Sequence, residues 1–122
     1  MKIHSGIDLV YIPRFKQVLD KNGPVTMDNP FIKRVFNAKE IEHIINRTNP
    51  YPGLAGRFAA KEAVIKALNS IKKISELKSI VIHGEIPSVK INDLGLNIDL
   101  NISVSISHDG DYATALCSLI YP

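Results

Sequence analysis

Apolar and polar positions alternate most regularly in the last third of the chain. Leu96, Ile98, Leu100, Ile102, Val104 and Ile106 alternate with Asn97, Asp99, Asn101, Ser103 and Ser105, a period-two pattern that predicts a half-buried strand. "SHDGD" reads as a turn, and "YATALCSLIY" as a second strand completing a hairpin. Near the start, Ile3, Ile7, Leu9 and Tyr11 share one parity, with Gly6, Asp8 and Val10 on the other, so a strand is predicted over 3–11. Pro13 suits the first turn of a helix, where its missing N–H is no loss, and Phe15, Val18 and Leu19 give that helix an apolar side. "KNGPVTMDNP" is a loop and "FIKRVF" a short helical piece. Asn37 followed by Glu40 is spaced as a capping box, opening a helix that buries Ile41, Ile44 and Ile45. After the break at "NRTNPYPG", an alanine- and leucine-rich run predicts a long central helix from about Gly53 to Ser70. "KKISEL" is ambiguous, with Ser75 placed to cap a turn of helix, and "SIVIHG" reads as a strand. The pairing of "EIPSVKINDLGLNIDLN" is not fixed by its pattern. Strand, helices, then antiparallel strands make an α+β fold, with the sheet packed against the central helix.

Composition narrows the class. The 122 residues suit one domain, 1–122, with one hydrophobic core. Hydrophobic residues make up 45% and charged residues 22%, an ordinary globular balance. No apolar run approaches the ~20 residues of a membrane span, and "MKIHSGIDLV" lacks the apolar region of a signal peptide. A cytoplasmic protein is expected, without membrane attachment. The one cysteine, Cys117, lies in an apolar strand and reads as a packed core thiol. The net charge is +3, but Arg14, Lys16, Lys21, Lys33 and Arg34 crowd the first third, so that region would attract an acidic partner. The tyrosines and phenylalanines form no stacking platform, which ranks nucleic-acid binding last.

Three places carry candidate chemistry. In "GRFAAKEAVIKAL", Phe58, Glu62 and Lys66 recur every four residues along one side of the central helix. Glu62 and Lys66 read either as a weak surface ion pair or as a Mg²⁺ ligand beside a phosphate-binding lysine. Arg57 and Lys61, also four apart, would form a second phosphate-binding side. In "SGIDLV", Asp8 interrupts an apolar strand, where aspartate is disfavoured; it reads as bonded to a neighbouring turn or as a metal ligand shared with Glu62. Gly6 allows another backbone to approach closely. In "SISHDGDYA", His108 closes a strand and reads as structural, as a phosphate contact or as a proton-transfer group. There is no GxGxxG, Walker loop, GxSxG elbow or HExxH, so phosphate binding would fall to side chains and helix ends.

Together, "GIDLVYIPRF", "GRFAAKEAVIKAL" and "SVSISHDGDYATAL", in that order and spanning nearly the whole chain, resemble the holo-acyl-carrier-protein synthase family of small bacterial 4′-phosphopantetheinyl transferases. The resemblance implies transfer of phosphopantetheine from coenzyme A to a serine of apo acyl carrier protein, releasing 3′,5′-ADP and supporting fatty-acid biosynthesis. It implies catalytic roles for Asp8, Glu62 and Lys66, with Asp8 and Glu62 as Mg²⁺ ligands and Lys66 on the pyrophosphate. Arg57, Lys61, Lys66 and His108 are expected to contact coenzyme A. Arg14, Phe15, Lys16 and Lys21 are expected to dock the carrier protein. A homotrimer with active sites between subunits is implied as well. The attacking serine would come from the partner; Asp8 or Glu62, acting through a metal-held water, is one option for the base, and the sequence does not choose between them. The family often has glycine where His4 stands, and a glycine-rich stretch where this chain has "LNSIKK". The competing reading is a non-catalytic binding protein for an acidic carrier-type partner.

Overall fold

In a computed structural model, residues 1–71, 73–74, 76–84, 86–91 and 101–121 are described. The element order is β1 (Lys2–Tyr11), α1 (Ile12–Lys21), α2 (Pro30–Val35), α3 (Ala38–Ile45), α4 (Tyr51–Leu68), a 3₁₀ turn (Leu77–Ser79), β2 (Ile80–His83), β3 (Ser88–Ile91), β4 (Asn101–Asp109) and β5 (Tyr112–Tyr121). The α+β expectation holds. β1, β5 and β4 form one antiparallel sheet in that order, and β2 pairs antiparallel with β3.

The central helix lies between the two sheets. Leu54, Ala55, Ala59, Ala60, Ala63, Val64, Ala67 and Leu68 are all buried. A helix that is apolar around most of its circumference has to be enclosed on several sides. On the sheet it meets Gly6, Val10, Val104, Ala113, Ala115, Cys117 and Leu119, all of one parity in their strands. A Cβ on Gly6 would lie 1.9 Å from the Ala63 carbonyl oxygen. The absent side chain is what lets β1 lie against α4.

Several sequence expectations need adjusting. The central helix starts at Tyr51, two residues before the expected Gly53, because Pro52 falls in the first turn, where a proline is harmless. It ends at Leu68 rather than Ser70. The turn expected over "SHDGD" shrinks to Gly110 and Asp111, since Asp109 still pairs with Tyr112; Gly110 takes φ 55°, which suits glycine. β3 escaped notice, although Val89 and Ile91 alternate with Ser88 and Lys90. The expected strand positions 96–100 and the cap at Ser75 lie outside the described residues. Glu40 closes its capping box, its Oε1 accepting from the Asn37 N–H at 2.8 Å. The Cys117 thiol is buried, and burial pushes its pKa up to about 11, so it is a core thiol as read. Among the described residues, no helix is long and apolar enough to cross a membrane.

Candidate functional site

Asp8 and Glu62 come together at the seam between β1 and α4. Asp8 has the same strand parity as Gly6, so the close approach at Gly6 delivers its carboxylate to the helix two residues further on. Both carboxylates line one groove of about 310 Å³. Its floor is aromatic: Phe15, Phe31 and Phe58 pack with ring centroids 5.4–6.0 Å apart. Arg14, Val18 and Tyr11 form its rim, and the Arg14 guanidinium lies 5.7 Å from the Tyr11 ring centroid. The Glu62 carboxyl is held above the usual carboxylate range, first by burial and then by the charge of Asp8, with Lys66 opposing. The Lys66 ammonium donates to the Ile7 carbonyl at 2.9 Å and to Asp8 Oδ1 at 3.2 Å. The three expected catalytic residues are therefore neighbours, but Lys66 pairs with Asp8 across the seam and not with Glu62 one turn away.

Two nearby carboxylates, one with its acidity suppressed first by burial and then by the other's charge, make a donor set suited to a hard divalent cation. Among the described residues no group of three or more His, Cys, Asp or Glu side chains forms a metal cage. A cation on Asp8 and Glu62 would take its remaining oxygens from water and substrate, which is the habit of Mg²⁺.

Arg57 and His108 occupy a different groove, of about 260 Å³, formed by α3, the start of α4 and β4. The Arg57 guanidinium donates through Nη2 to the Gly84 carbonyl, while Nη1 is buried with no partner. Burial lowers its pKa, an effect that Glu40 opposes and Arg47 reinforces. His43 and Arg47 line the same groove. Sequence reading missed both; they lie at the C-terminal end of α3 and just beyond it, beside Ile44 in the same groove. Four basic side chains and an orphaned guanidinium N–H suit a phosphate group.

Other expected contacts fall elsewhere. Lys61 is a correction: its side chain is wholly buried, and its ammonium donates to Glu40 Oε1 at 2.5 Å, the Val35 carbonyl at 2.7 Å and the Leu77 carbonyl at 3.2 Å. Its three donors are used inside the protein, so none is left for coenzyme A. Glu40 Oε2 accepts from the Ile82 N–H at 2.8 Å; the pair ties α2, α3 and β2 to the central helix. Burial draws the Lys61 pKa down, with Glu40 opposing. Phe15 is also corrected, from a docking contact to buried groove floor. Lys16 leaves the groove: its ammonium sits 5.1 Å from the Tyr51 ring centroid, on a flank of α1 about 160° from Val18. On that flank the Tyr51 hydroxyl donates to Asp20 at 2.6 Å, which pushes the tyrosine up to about 12. Lys21 is exposed at the end of α1. At the atypical stretch after the helix, Ser70 Oγ lies 3.0 Å from His4 Nδ1.

Comparison with known proteins places the chain among relatives over nearly its whole length. The family profile described as the 4′-phosphopantetheinyl transferase superfamily matches residues 5–117. A holo-[acyl-carrier-protein] synthase of Finegoldia magna is 38% identical over 98% of this chain and 97% of its own length. One of Thermodesulfovibrio yellowstonii is 41% identical over 90% of this chain and 91% of its own. Among solved structures, the Chronobacterium ammoniagenes ACPS-CoA complex superposes with a TM-score of 0.82 at 32% identity, covering 100% of this chain and 99% of that one.

Proposed function

The chain belongs to the 4′-phosphopantetheinyl transferase superfamily, and we infer that it is a holo-acyl-carrier-protein synthase acting through the Asp8–Glu62–Lys66 seam. The reaction moves 4′-phosphopantetheine from coenzyme A to a serine of apo acyl carrier protein. The serine oxygen attacks the phosphorus that carries the pantetheine, the bond to 3′,5′-ADP breaks, and the serine proton passes to a carboxylate of the Asp8–Glu62 pair. Asp8 and Glu62 would hold Mg²⁺, which when bound would supply electrophilic assistance and neutralise charge on the pyrophosphate. Lys66, beside both, stabilises the charge that grows on the departing group. The aromatic floor shields the groove, and Arg14 and Lys21 attract the acidic carrier.

The observation that carries this reading is the meeting of Asp8 and Glu62 in one groove beside Lys66. Incubation with apo carrier protein, coenzyme A and Mg²⁺ should add the phosphopantetheine mass to the carrier. Absence of that shift across several carriers sinks the reading in favour of a non-catalytic binder, and chelation of Mg²⁺ should suppress it.

The assembly is a homotrimer with its sites between subunits. Two observations support this. Arg57 and His108 line a groove separate from that of Asp8 and Glu62, an arrangement that suits a site completed where two chains meet. The sheet face opposite α4 also exposes Ile3, Ile7, Leu9, Leu116 and Ile120, with Ile3 74% exposed, an apolar surface crossed by the Ser5–Ser118–Ser103 row that a second copy would cover. The setting is the cytoplasm and the product feeds fatty-acid biosynthesis. Light scattering that gives a monomer at micromolar concentration would overturn the trimer.

A further inference from the structure

The seam holds a cation of its own. The Lys66 ammonium bonds to Asp8 Oδ1 at 3.2 Å and to the Ile7 carbonyl at 2.9 Å. The Asp8 side chain is 17% exposed, whereas that of Lys66 is 54% exposed. One partner is fixed in the strand, and the other sits on a flexible four-carbon stem facing water. A half-exposed pair of this kind is weak, so the ammonium can leave without any movement of the helix.

We propose that Lys66 is a resident counter-cation for the metal-ligand carboxylate, displaced from Asp8 when the divalent ion enters and thereby released to the phosphate that arrives with it. This rests on the assignment of Asp8 and Glu62 as metal ligands. Without coenzyme A, the metal must break the Lys66–Asp8 pair and then face a like charge. With coenzyme A, the freed ammonium gains an anionic partner. Metal and coenzyme A therefore assist each other's binding, and Lys66 carries part of that coupling. Of the charged groups at the seam, Glu62 shares the metal with Asp8 and Lys66 alone changes partner.

The test is Mn²⁺ binding to the metal-free protein at fixed pH, followed by electron paramagnetic resonance of the free ion, with and without coenzyme A. Lys66→Met should bind Mn²⁺ alone about 2- to 5-fold more tightly than the wild type, the range expected when such an ion pair need not be broken. Lys66→Gln should shift the same way, and Lys66→Arg, which keeps the cation, should stay within about twofold of wild type. The gain in Mn²⁺ affinity on adding coenzyme A should be smaller in Lys66→Met and Lys66→Gln than in wild type. If both bind Mn²⁺ no more tightly than wild type while Glu62→Gln weakens it, the ligands stand and the counter-cation role falls. If Glu62→Gln leaves Mn²⁺ binding unchanged, the ligand assignment itself falls.

Discussion

Replacing Gly6 with alanine tests the contact on which the site is built. The new Cβ would lie 1.9 Å from the Ala63 carbonyl oxygen and 2.7 Å from the Ala67 nitrogen. The first is roughly 1.5 Å closer than heavy atoms normally approach. Both obstacles are backbone atoms of a buried helix, so no rotamer change relieves the clash. The strand has to lift from α4, although it is paired with β5 along its whole length. Overpacking of this kind costs about 3 kcal/mol, the upper end of the usual range. At ~0.26 kcal/mol/K for a chain of 122 residues, the midpoint of thermal unfolding should fall by about 12 °C. The lift also carries Asp8 away from Glu62 and Lys66, and displacement of about 1 Å at a reacting centre can lower turnover by ~10²-fold. Urea denaturation and the carrier mass-shift assay read the two effects separately. Gly53→Ala is the control: its Cβ would meet the Ile44 Cγ2 at 2.8 Å and Arg47 Nη1 at 3.3 Å. The Arg47 end can yield, and although Ile44 Cγ2 sits on a stiff β-branch of a buried residue, neither obstacle is backbone. Helix propensity gains about 1 kcal/mol against the clash, so the net cost should be well below that of Gly6→Ala. A Gly6→Ala protein as stable and active as Gly53→Ala would refute the argument.

Lys61→Met should destabilise the protein by about 3–5 kcal/mol in urea, since it strands a buried Glu40; adding Glu40→Leu should recover much of the loss. Glu62→Gln should raise the stability of the metal-free protein at pH 7 by about a few tenths of a kcal/mol after solvent screening, while lowering activity. The sign follows from the raised folded pKa of Glu62: the folded state holds its proton more tightly, so wild-type stability falls as pH rises from the unfolded value of 4.5 through the folded one. The advantage of Glu62→Gln in thermal melts should therefore vanish well below pH 4.5, and an advantage that persisted there would have another origin. Arg14→Glu should raise KM for the carrier about 10-fold at low salt, less at high salt, with KM for coenzyme A unchanged. Lys16→Glu, on the Tyr51 flank, should change the carrier KM by less than about twofold; an equal effect would return Lys16 to the docking surface.

The strands and helices whose patterns are strict were legible in the sequence. β1, β5 and the described part of β4 follow from period-two alternation, because each has one buried face. The meeting of Asp8 and Glu62 was legible for a different reason, since an aspartate in an apolar strand and a glutamate in an apolar helix both need a partner. Lys61 was misread because spacing treats all i,i+4 pairs alike. Arg57–Lys61 and Glu62–Lys66 have the same spacing on the same helix, yet one pair faces β2 and the 3₁₀ turn and the other faces β1. What separates them is the environment supplied by residues 20 or more positions away, such as Glu40 on Lys61 and Asp8 on Lys66. Spacing along one element carries no information about that.

Glu40 offers a way to anticipate such an outcome. A capping-box glutamate normally has one oxygen bonded and the other in water. Here Oε2 accepts from Ile82 and Oε1 also accepts from Lys61, so the carboxylate is enclosed and requires a buried cation. A helix start packed under a strand therefore calls for a lysine from a third element. α4 supplies it from the position just before its metal-ligand candidate. Successive helix positions lie about 100° apart, so Lys61 and Glu62 point to different sides of α4, one locking the α3–β2 layer and the other opening onto the groove. On the proposed function, the adjacent Lys-Glu pair serves stability with one residue and chemistry with the next. Lys61→Met and Glu62→Gln should accordingly separate the two, the first lowering stability and the second activity.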